Sequence, residues 1–465
     1  MRRAVASASG RKGSILVGLL WCLALLSVVV IGVLHTARMD LLVVKNYNDR
    51  IQAHYLALAG IEKAKALLYQ DSRERSRSGR HHSGNLYNSP DQFRDVAFGR
   101  GRFSVLRAGR EDEGGGVLYG ISDEESRLNV NVASADELGK LDGLTSDVVA
   151  AILDWRDPDD VVTPGGAELE YYASLQPPSQ PRNGPLQTVR ELLMVRGFSS
   201  DLLGSDTPPA DALDEPGANQ AENSLNNLNP GLAGLLTVDS SPQDVSASGG
   251  DRVNVQSADE RSLTGVRGIT SDIARAIVAY RGQNQFKSIA DLLDVTAAQN
   301  KSGLGAAAAG DQGNQDQSNP APDGQSPNAQ ASSNGPKVIS QDLLMDIADE
   351  LTISDGDLKG AVNINTASLD VLSCLQGVTR DLAQAIISYR QSAGFFPNVA
   401  YLLKVDGMTR DIFKQLAPRV SVRSDTFRIL CEGRVGAGGT RQRIQEIVRM
   451  TADGLTTLSY REDDL

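Results

Sequence analysis

The sequence predicts an α+β protein. A long N-terminal transmembrane and stalk helix leads into a small β-sheet, and a large helical domain of helix-hairpin-helix repeats is inserted between the two halves of that sheet. Three observations predict this: an uncharged apolar run near the start, a pattern that recurs three times, and short strand-like segments that bracket the repeats.

The helix comes first in the chain. Ser14 to Leu34 is 21 residues long and holds no charge. At about 1.5 Å per residue, that length spans a hydrocarbon core of about 30 Å. Arg2, Arg3, Arg11 and Lys12 precede it, which keeps the N-terminus on the cytoplasmic side. A cleaved secretory signal also opens with basic residues and an apolar run, but this run exceeds a usual signal core and no small-x-small site closes it. Beyond Leu34, Leu41, Val44, Tyr47, Ile51, Tyr55, Leu58 and Ile61 follow steps of three and four residues, with only Gly60 as an interruption. One continuous helix from Ser14 to Tyr69 is expected, with residues 35–69 as an amphipathic stalk.

The repeat comes next. Asn129, Asn254 and Asn363 each sit in an extended apolar-polar run, and Gly143, Gly268 and Gly377 each follow 14 residues later. Trp155-Arg156, Tyr280-Arg281 and Tyr389-Arg390 close the three copies in the same register. The text around the glycines reads LDGLTSDVVAAI, VRGITSDIARAI and LQGVTRDLAQAI. A helix ends on the glycine, an apolar residue turns inward, and Thr145, Thr270 or Thr379 caps the next helix. Half-copies of the hairpin appear at Val195-Arg196-Gly197-Phe198 and Val405-Asp406-Gly407-Met408. SADE at Ser134–Glu137 and at Ser257–Glu260 offers two candidate capping boxes. Between the copies, residues 204–250 and 299–336 have the Gly, Pro, Asn, Gln and Ser content of disordered linkers.

The sheet is read from short segments. Arg102 to Leu106 and Val117 to Tyr119 can pair across the GREDEGGG turn; Val420 to Val422 and Phe427 to Cys431 can pair across Arg423 to Thr426. Two cysteines lie outside the apolar run, Cys374 and Cys431, and the sequence leaves open whether they form a disulfide.

Between Asp154 and Glu170, six carboxylates crowd a turn rich in Pro and Gly: Asp154, Asp157, Asp159, Asp160, Glu168 and Glu170. Carboxylates alternating in a loop suit a hard cation such as Ca²⁺, which takes about six to eight oxygens. A solvated acidic loop is the plainer alternative, and the spacing is not that of an EF-hand.

The net charge is -12, so the chain as a whole repels polyanions. DNA-binding hairpins read G-h-G and grip phosphate through open backbone amides. Here threonine replaces the second glycine in all three copies, and the basic residues nearby are few: Arg267, Arg275 and Arg380. No nucleic acid is expected. Nor is an enzyme expected, because no catalytic motif is visible. The four histidines all precede the repeats, and His81-His82 reads as part of a solvated basic linker.

A basic leader ending in Lys12-Gly13, then an apolar helix with an amphipathic extension, resembles a type IV pilin-like precursor. The fifth position after that glycine holds Gly18 where most such precursors carry glutamate. Among them, the resemblance is to the minor pseudopilin K family of type II secretion systems, whose members lack that glutamate. The order DW-x-D-x-D, GAE, YY, PP, NGPL and VRGF is similar to that family, as is the closing text from Tyr401 through VSVRSDTFRILCEGRV to LSYRED. The resemblance covers roughly residues 10–200 and 360–465; residues 251–298 depart from it as an inserted third unit. It implies cleavage between Gly13 and Ser14 by prepilin peptidase, methylation, and a calcium site at Asp157, Asp159 and Glu168. It also implies major and minor pseudopilins as partners and a place at the tip of a periplasmic pseudopilus anchored in the inner membrane. The structural hairpin glycines are Gly143, Gly268, Gly377 and Gly407. The second function class is a membrane-anchored, competence-type DNA receptor, which also joins an anchor to such hairpins.

The expected division is a leader 1–13, membrane helix 14–34, stalk 35–69, sheet halves 93–125 and 418–465, and linkers 204–250 and 299–336. The hairpin units are 126–203, 251–298 and 337–417.

Overall fold

A computed structural model describes residues 12–81, 86–205, 207–208, 231–297, 336–436 and 440–462. One helix, α1, runs unbroken from Lys12 to Ser78. Between Ile15 and Leu34 its side chains are exposed, and it is long and apolar enough to cross a membrane. From Ala53 onward an inner stripe of Ala53, Leu56, Ala57, Ile61, Ala64 and Leu68 is buried, the spacing of one helical face.

The helix ends nine residues beyond the expected Tyr69. Its polar last turns are held rather than solvated: Arg75 pairs with Asp71 at 3.0 Å, one turn away, and donates to the His81 carbonyl at 2.9 Å. His81 corrects the sequence expectation of a solvated linker, because it is buried and its ring meets the Asp349 carboxylate. His82 lies outside the described residues.

The stripe packs on a seven-stranded antiparallel sheet. Its strands are β1 (Val96–Phe98), β2 (Gly101–Ala108), β3 (Val117–Leu118), β4 (Ser122–Asp123), β5 (Thr426–Val435), β6 (Thr440–Thr451) and β7 (Gly454–Arg461). The order is β1-β2-β5-β6-β7, with β3 beside β2 and β4 beside β5. Phe103, Val105, Phe427, Ile429, Cys431, Ile444 and Val448 meet the helix stripe in one core. The approach is close enough to require glycine. A Cβ on Gly433 would lie 2.1 Å from the Ala53 carbonyl oxygen, and one on Gly60 would lie 2.2 Å from Cys431 Sγ.

A hairpin forms across the GREDEGGG turn, but through Arg107 with Leu118 and Ala108 with Val117. Arg102 to Leu106 pair with β5 instead, and the second expected hairpin does not form. Val420–Ser421 leaves the sheet and pairs in parallel with Val362–Asn363, whereas β5 pairs with β6, β2 and β4. Both edges of β5 are already taken, one along its whole length by β6 and the other by β2 and β4, so no edge is left for Val420–Ser421. Cys374 and Cys431 are both buried free thiols. They belong to different cores, Cys374 to the helical domain and Cys431 to the sheet.

The described residues between 124 and 425 lie between β4 and β5 in the chain and form the helical domain. Each repeat opens with a two-residue strand and is closed by a second one in parallel. The pairs are Leu128–Asn129 with Leu236–Thr237, Val253–Asn254 with Leu351–Thr352, and Val362–Asn363 with Val420–Ser421. These closing strands correct the expected unit boundaries. The compositionally biased stretches interrupt units 1 and 2 rather than separating them, and residues 337–352 complete unit 2. Residues 231–250 are also not the linker expected: Leu232, Leu236, Ser240 and Ser246 are buried. Most of the remaining linker text lies outside the described residues.

One set of hydrogen bonds builds all three units. The asparagine side chain that opens each accepts from the amide two residues on, as Asn129 from Asn131 (2.9 Å), Asn254 from Gln256 (2.8 Å) and Asn363 from Asn365 (2.9 Å). The arginine of the aromatic-Arg pair reaches back to two carbonyls of the opening segment. Arg156 meets those of Val130 and Ala133, Arg281 those of Val255 and Ala258, and Arg390 those of Ile364 and Ala367. A rigid fork of donors satisfies carbonyls that the short strand leaves open.

Candidate metal centre

The first half of unit 1 follows this frame. Ser134 and Glu137 form a full capping box on the helix Ala135–Gly139; in unit 2 the expected box is replaced by Asp259, which caps Glu260–Thr264. Gly143 turns the chain at φ +87° and Thr145 caps the helix Ser146–Arg156. Gly268, Gly377 and Gly407 take the same turn at φ +102°, +77° and +86°. Gly13 and Ser14 lie in the first turn of α1.

Unit 1 departs from the frame after Arg156. In unit 3, Asn365 grips the amide and carbonyl of Phe396, six residues past the clamp arginine Arg390. In unit 1, Asn131 grips Leu186 in the same way, at 2.9 and 2.7 Å, thirty residues past Arg156. The acidic turn is therefore an excursion inserted into a repeat whose ends stay pinned.

Within it, Asp154, Asp157 and Glu168 each bring a carboxylate oxygen within 4.8 Å of the others. Asp154 is fully buried on its helix, and the Thr163 amide donates to both of its oxygens at 3.2 Å. Asp157 follows the last turn of that helix. Glu168 precedes the helix Leu169–Ala173, is 2% exposed, and has no hydrogen-bond partner on either buried oxygen; one Asp157 oxygen is in the same state. A buried, unpaired carboxylate is costly. Burial first, then the charges of Asp154 and Asp157, push the Glu168 carboxyl up to about 7. Asp157 is raised too, by burial and then by Asp159 and Asp154. Gly166 leaves the space open: a Cβ there would fall 2.0 Å from an Asp154 oxygen.

Asp159, expected among the ligands, stands outside this cluster. It is exposed and accepts from the Val161 amide at 2.9 Å. Asp154 takes its place, and Glu170 is exposed. The three clustered oxygen donors, two residues of them with orphaned buried oxygens, fit a hard divalent cation.

The hairpins offer phosphate little. Thr145, Thr270 and Thr379 accept from the amides of Val148, Ile273 and Leu382, the donors an anion would use. An aspartate follows in each first turn: Asp147, Asp272 and Asp381. Arg275 pairs with Asp272 and Arg380 with Asp370, while Arg267 is exposed.

Residues 126–208 match the family model for type II secretion system (T2SS) protein K, and residues 248–302 and 359–421 match the helix-hairpin-helix motif. The chain is 25% identical over 216 residues to type II secretion system protein K of Pectobacterium carotovorum subsp. carotovorum, covering 42% of this chain and 60% of that protein. It is 30% identical over 180 residues to endonuclease/exonuclease/phosphatase family domain-containing protein 1 of Mus musculus, covering 37% of this chain and 28% of the relative. It is 37% identical over 70 residues to ComE operon protein 1 of Bacillus subtilis, covering 15% and 34%. The chain thus spans between 28% and 60% of the length of these relatives. A solved structure, the GspK-GspI-GspJ complex from the enterotoxigenic Escherichia coli type 2 secretion system, aligns over 91% of this chain and 99% of its own, with a TM-score of 0.38 and 12% identity.

Proposed function

We propose that this chain, a protein-K-like protein with helix-hairpin-helix regions, acts as a minor pseudopilin of a type II secretion system. Its role is structural: the tip subunit of a periplasmic pseudopilus, with no catalytic step of its own. The observation that carries this reading is the union of a protein K domain at residues 126–208 with one apolar N-terminal helix that continues into a sheet core. The N-terminus lies in the cytoplasm, α1 crosses the inner membrane, and prepilin peptidase cuts between Gly13 and Ser14. The exposed apolar stretch of α1 then packs against the helices of major and minor pseudopilins, while the broad head leaves no room for a subunit above it. Deleting the gene in its host should abolish secretion of the system's substrates, and the wild-type gene should restore it. Secretion at the wild-type level without the gene would overturn this reading, as would N-terminal sequencing that finds Met1 intact.

The likeness to ComE operon protein 1 supports a second reading as a membrane-anchored DNA receptor. The threonine-capped amides and the aspartates beside them weigh against it. Filter binding of duplex DNA by the purified chain at low salt separates the two: submicromolar retention with a steep salt slope favours the receptor.

The acidic centre is proposed to hold Ca²⁺ through Asp154, Asp157 and Glu168. A divalent ion there supplies positive charge that turns mutual repulsion of the carboxylates into coordination. Asp154 and Asp157 sit at the end of one helix and Glu168 at the start of another, so these residues tie the two ends of the excursion together.

A further inference from the structure

The three carboxylates come from two segments, and the second of them, Gly166 to Tyr172, needs something to hold it against the first. Arg196 does so from the second hairpin of unit 1. Its guanidinium donates to the Gly166 carbonyl at 2.8 Å and lies over the Tyr171 ring at 5.1 Å. Its backbone amide donates to the Tyr172 hydroxyl at 3.1 Å. Arg196 therefore grips the chain on both sides of Glu168. Its own position is fixed, because Val195 and Phe198 on either side are buried in the domain core.

Its hydrogen bonds go to a carbonyl and a phenol rather than to the carboxylates, so it acts on their position. The same hairpin in unit 3 reads Val405-Asp406-Gly407-Met408. There, where the excursion is missing, an aspartate stands in the place of Arg196. Tyr172 also packs edge-on against Trp155 at 5.0 Å, one residue from Asp154, so the two halves of the centre and the hairpin share one set of contacts.

We propose that Arg196 is the positioning residue of the carboxylate centre, and that an ion bound there fixes the second hairpin of unit 1 through it. This rests on the calcium reading above. Coupling of this kind is reciprocal: what the ion does for the hairpin, an intact hairpin contact does for ion affinity. Loss of a group that orients ligands from outside the coordination sphere costs about ten- to a hundredfold in metal affinity.

The test uses the full chain in detergent micelles, with Trp21→Phe leaving Trp155 as the sole indole. Ca²⁺ is titrated against Trp155 fluorescence, and amide hydrogen exchange is followed at residues 195–203. The wild-type hairpin should exchange more slowly once Ca²⁺ is bound. Arg196→Gln should weaken Ca²⁺ by about ten- to a hundredfold and, at saturating Ca²⁺, leave hairpin exchange unchanged. Arg196→Lys, which keeps a donor for Gly166 and a cation over Tyr171, should recover part of both. If Arg196→Gln lowers the melting temperature without metal but binds Ca²⁺ like wild type, Arg196 is only structural and the proposal falls. Wild-type hairpin exchange that ignores bound Ca²⁺ overturns it as well. A wild-type chain with no Ca²⁺ response in either signal removes the centre itself, and this proposal with it.

Discussion

Units 1 and 3 of the helical domain share an opening strand, an asparagine turn, a glycine hairpin and an arginine clamp, yet among the described residues the carboxylate cluster is found in unit 1 and not in unit 3. The difference sits at one place. Unit 3 passes from Arg390 to the pinned Phe396 in six residues, while unit 1 takes thirty to pass from Arg156 to Leu186. A frame whose ends are held by hydrogen bonds tolerates an insertion between them, because lengthening a closed loop costs little. The excursion adds to the core rather than looping clear of it, since its Ala167 and Tyr172 are buried in that core.

The sharpest test of the shared frame is its clamp. Arg390 is buried and makes bonds of 3.0 and 2.8 Å to the Ile364 and Ala367 carbonyls, and a third of 2.7 Å to Asp112. Arg390→Ala strands the two carbonyls and leaves Asp112 with Arg110 alone, and should cost about 3 kcal/mol in denaturant melts of the solubilised chain. Arg281 is less buried, so Arg281→Ala should cost about 1–2 kcal/mol. Equal, negligible losses at both sites would break the idea that this hydrogen-bond pattern defines the repeat.

The centre that separates the units comes next. A ligand that binds only the folded state stabilises it by about 2.7 kcal/mol at a hundredfold excess over Kd. Ca²⁺ should therefore raise the melting temperature by several degrees, and Mg²⁺ by much less, since it keeps its waters. Glu168→Ala and Asp154→Ala should remove the increment, whereas Asp159→Ala should keep most of it. Identical melting curves in chelator, Ca²⁺ and Mg²⁺ would reduce the cluster to an acidic turn.

The frame was legible in the sequence and the centre only in part, for different physical reasons. Glycine at positive φ and threonine at a helix start are local requirements, so Gly143, Gly268, Gly377 and their threonines announced the hairpins from three copies in register. The closing strands at Leu236, Leu351 and Val420 are two residues each and pair across distant sequence, so no periodicity marks them. The Leu236 strand was further hidden because its short apolar text, GLAGLLTV at 231–238, is flanked on both sides by polar, Ser-, Asn- and Pro-containing sequence. At the centre, spacing alone could not separate Asp154 from Asp159. Asp154 is inward because its helix is buried on nearly every side, at 148–152 as well as 154 and 155. It lies off the apolar stripe of 148, 151, 152 and 155, so periodicity does not single it out.

The two units also meet the sheet differently, which gives a pH test. Glu124 faces unit 1, bonding Thr237 and pairing with Arg428 at 2.6 Å. Burial alone would raise its carboxyl, but Arg428 and then Arg127 hold it below the usual range. Glu125 faces unit 3 beside Asp123 and Asp425. Burial, then these two charges, raise its carboxyl well above the usual range. The signs are opposite. The Glu125 contribution is complete below the unfolded carboxyl range and is lost as pH rises through its folded value; the Glu124 contribution is present above the unfolded range and is lost as pH falls through its folded value. Glu125→Gln should flatten the decline in stability on the alkaline side, and Glu124→Gln should flatten it on the acid side. Profiles that both match wild type would show that the two joints are alike.

The smallest expected effect concerns the hairpins, where the units are most alike. Thr145 and Thr379 each accept from an amide of the next helix, at 3.4 and 3.2 Å. Replacing either by glycine restores a G-h-G turn and frees that amide. A threonine-to-glycine change at a helix cap costs only a few tenths of a kcal/mol, so both variants should melt close to wild type. Freed amides alone do not make a phosphate site here, because Asp147 and Asp381 remain in the first turns with unfavourable charge for an anion. Neither variant should retain duplex DNA on a filter at low salt, and the double variant should behave the same. Retention by Thr379→Gly but not by Thr145→Gly would mean that unit 3 keeps a latent nucleic-acid surface that unit 1 has lost. The division between the units would then lie in their hairpins as well as in the acidic excursion.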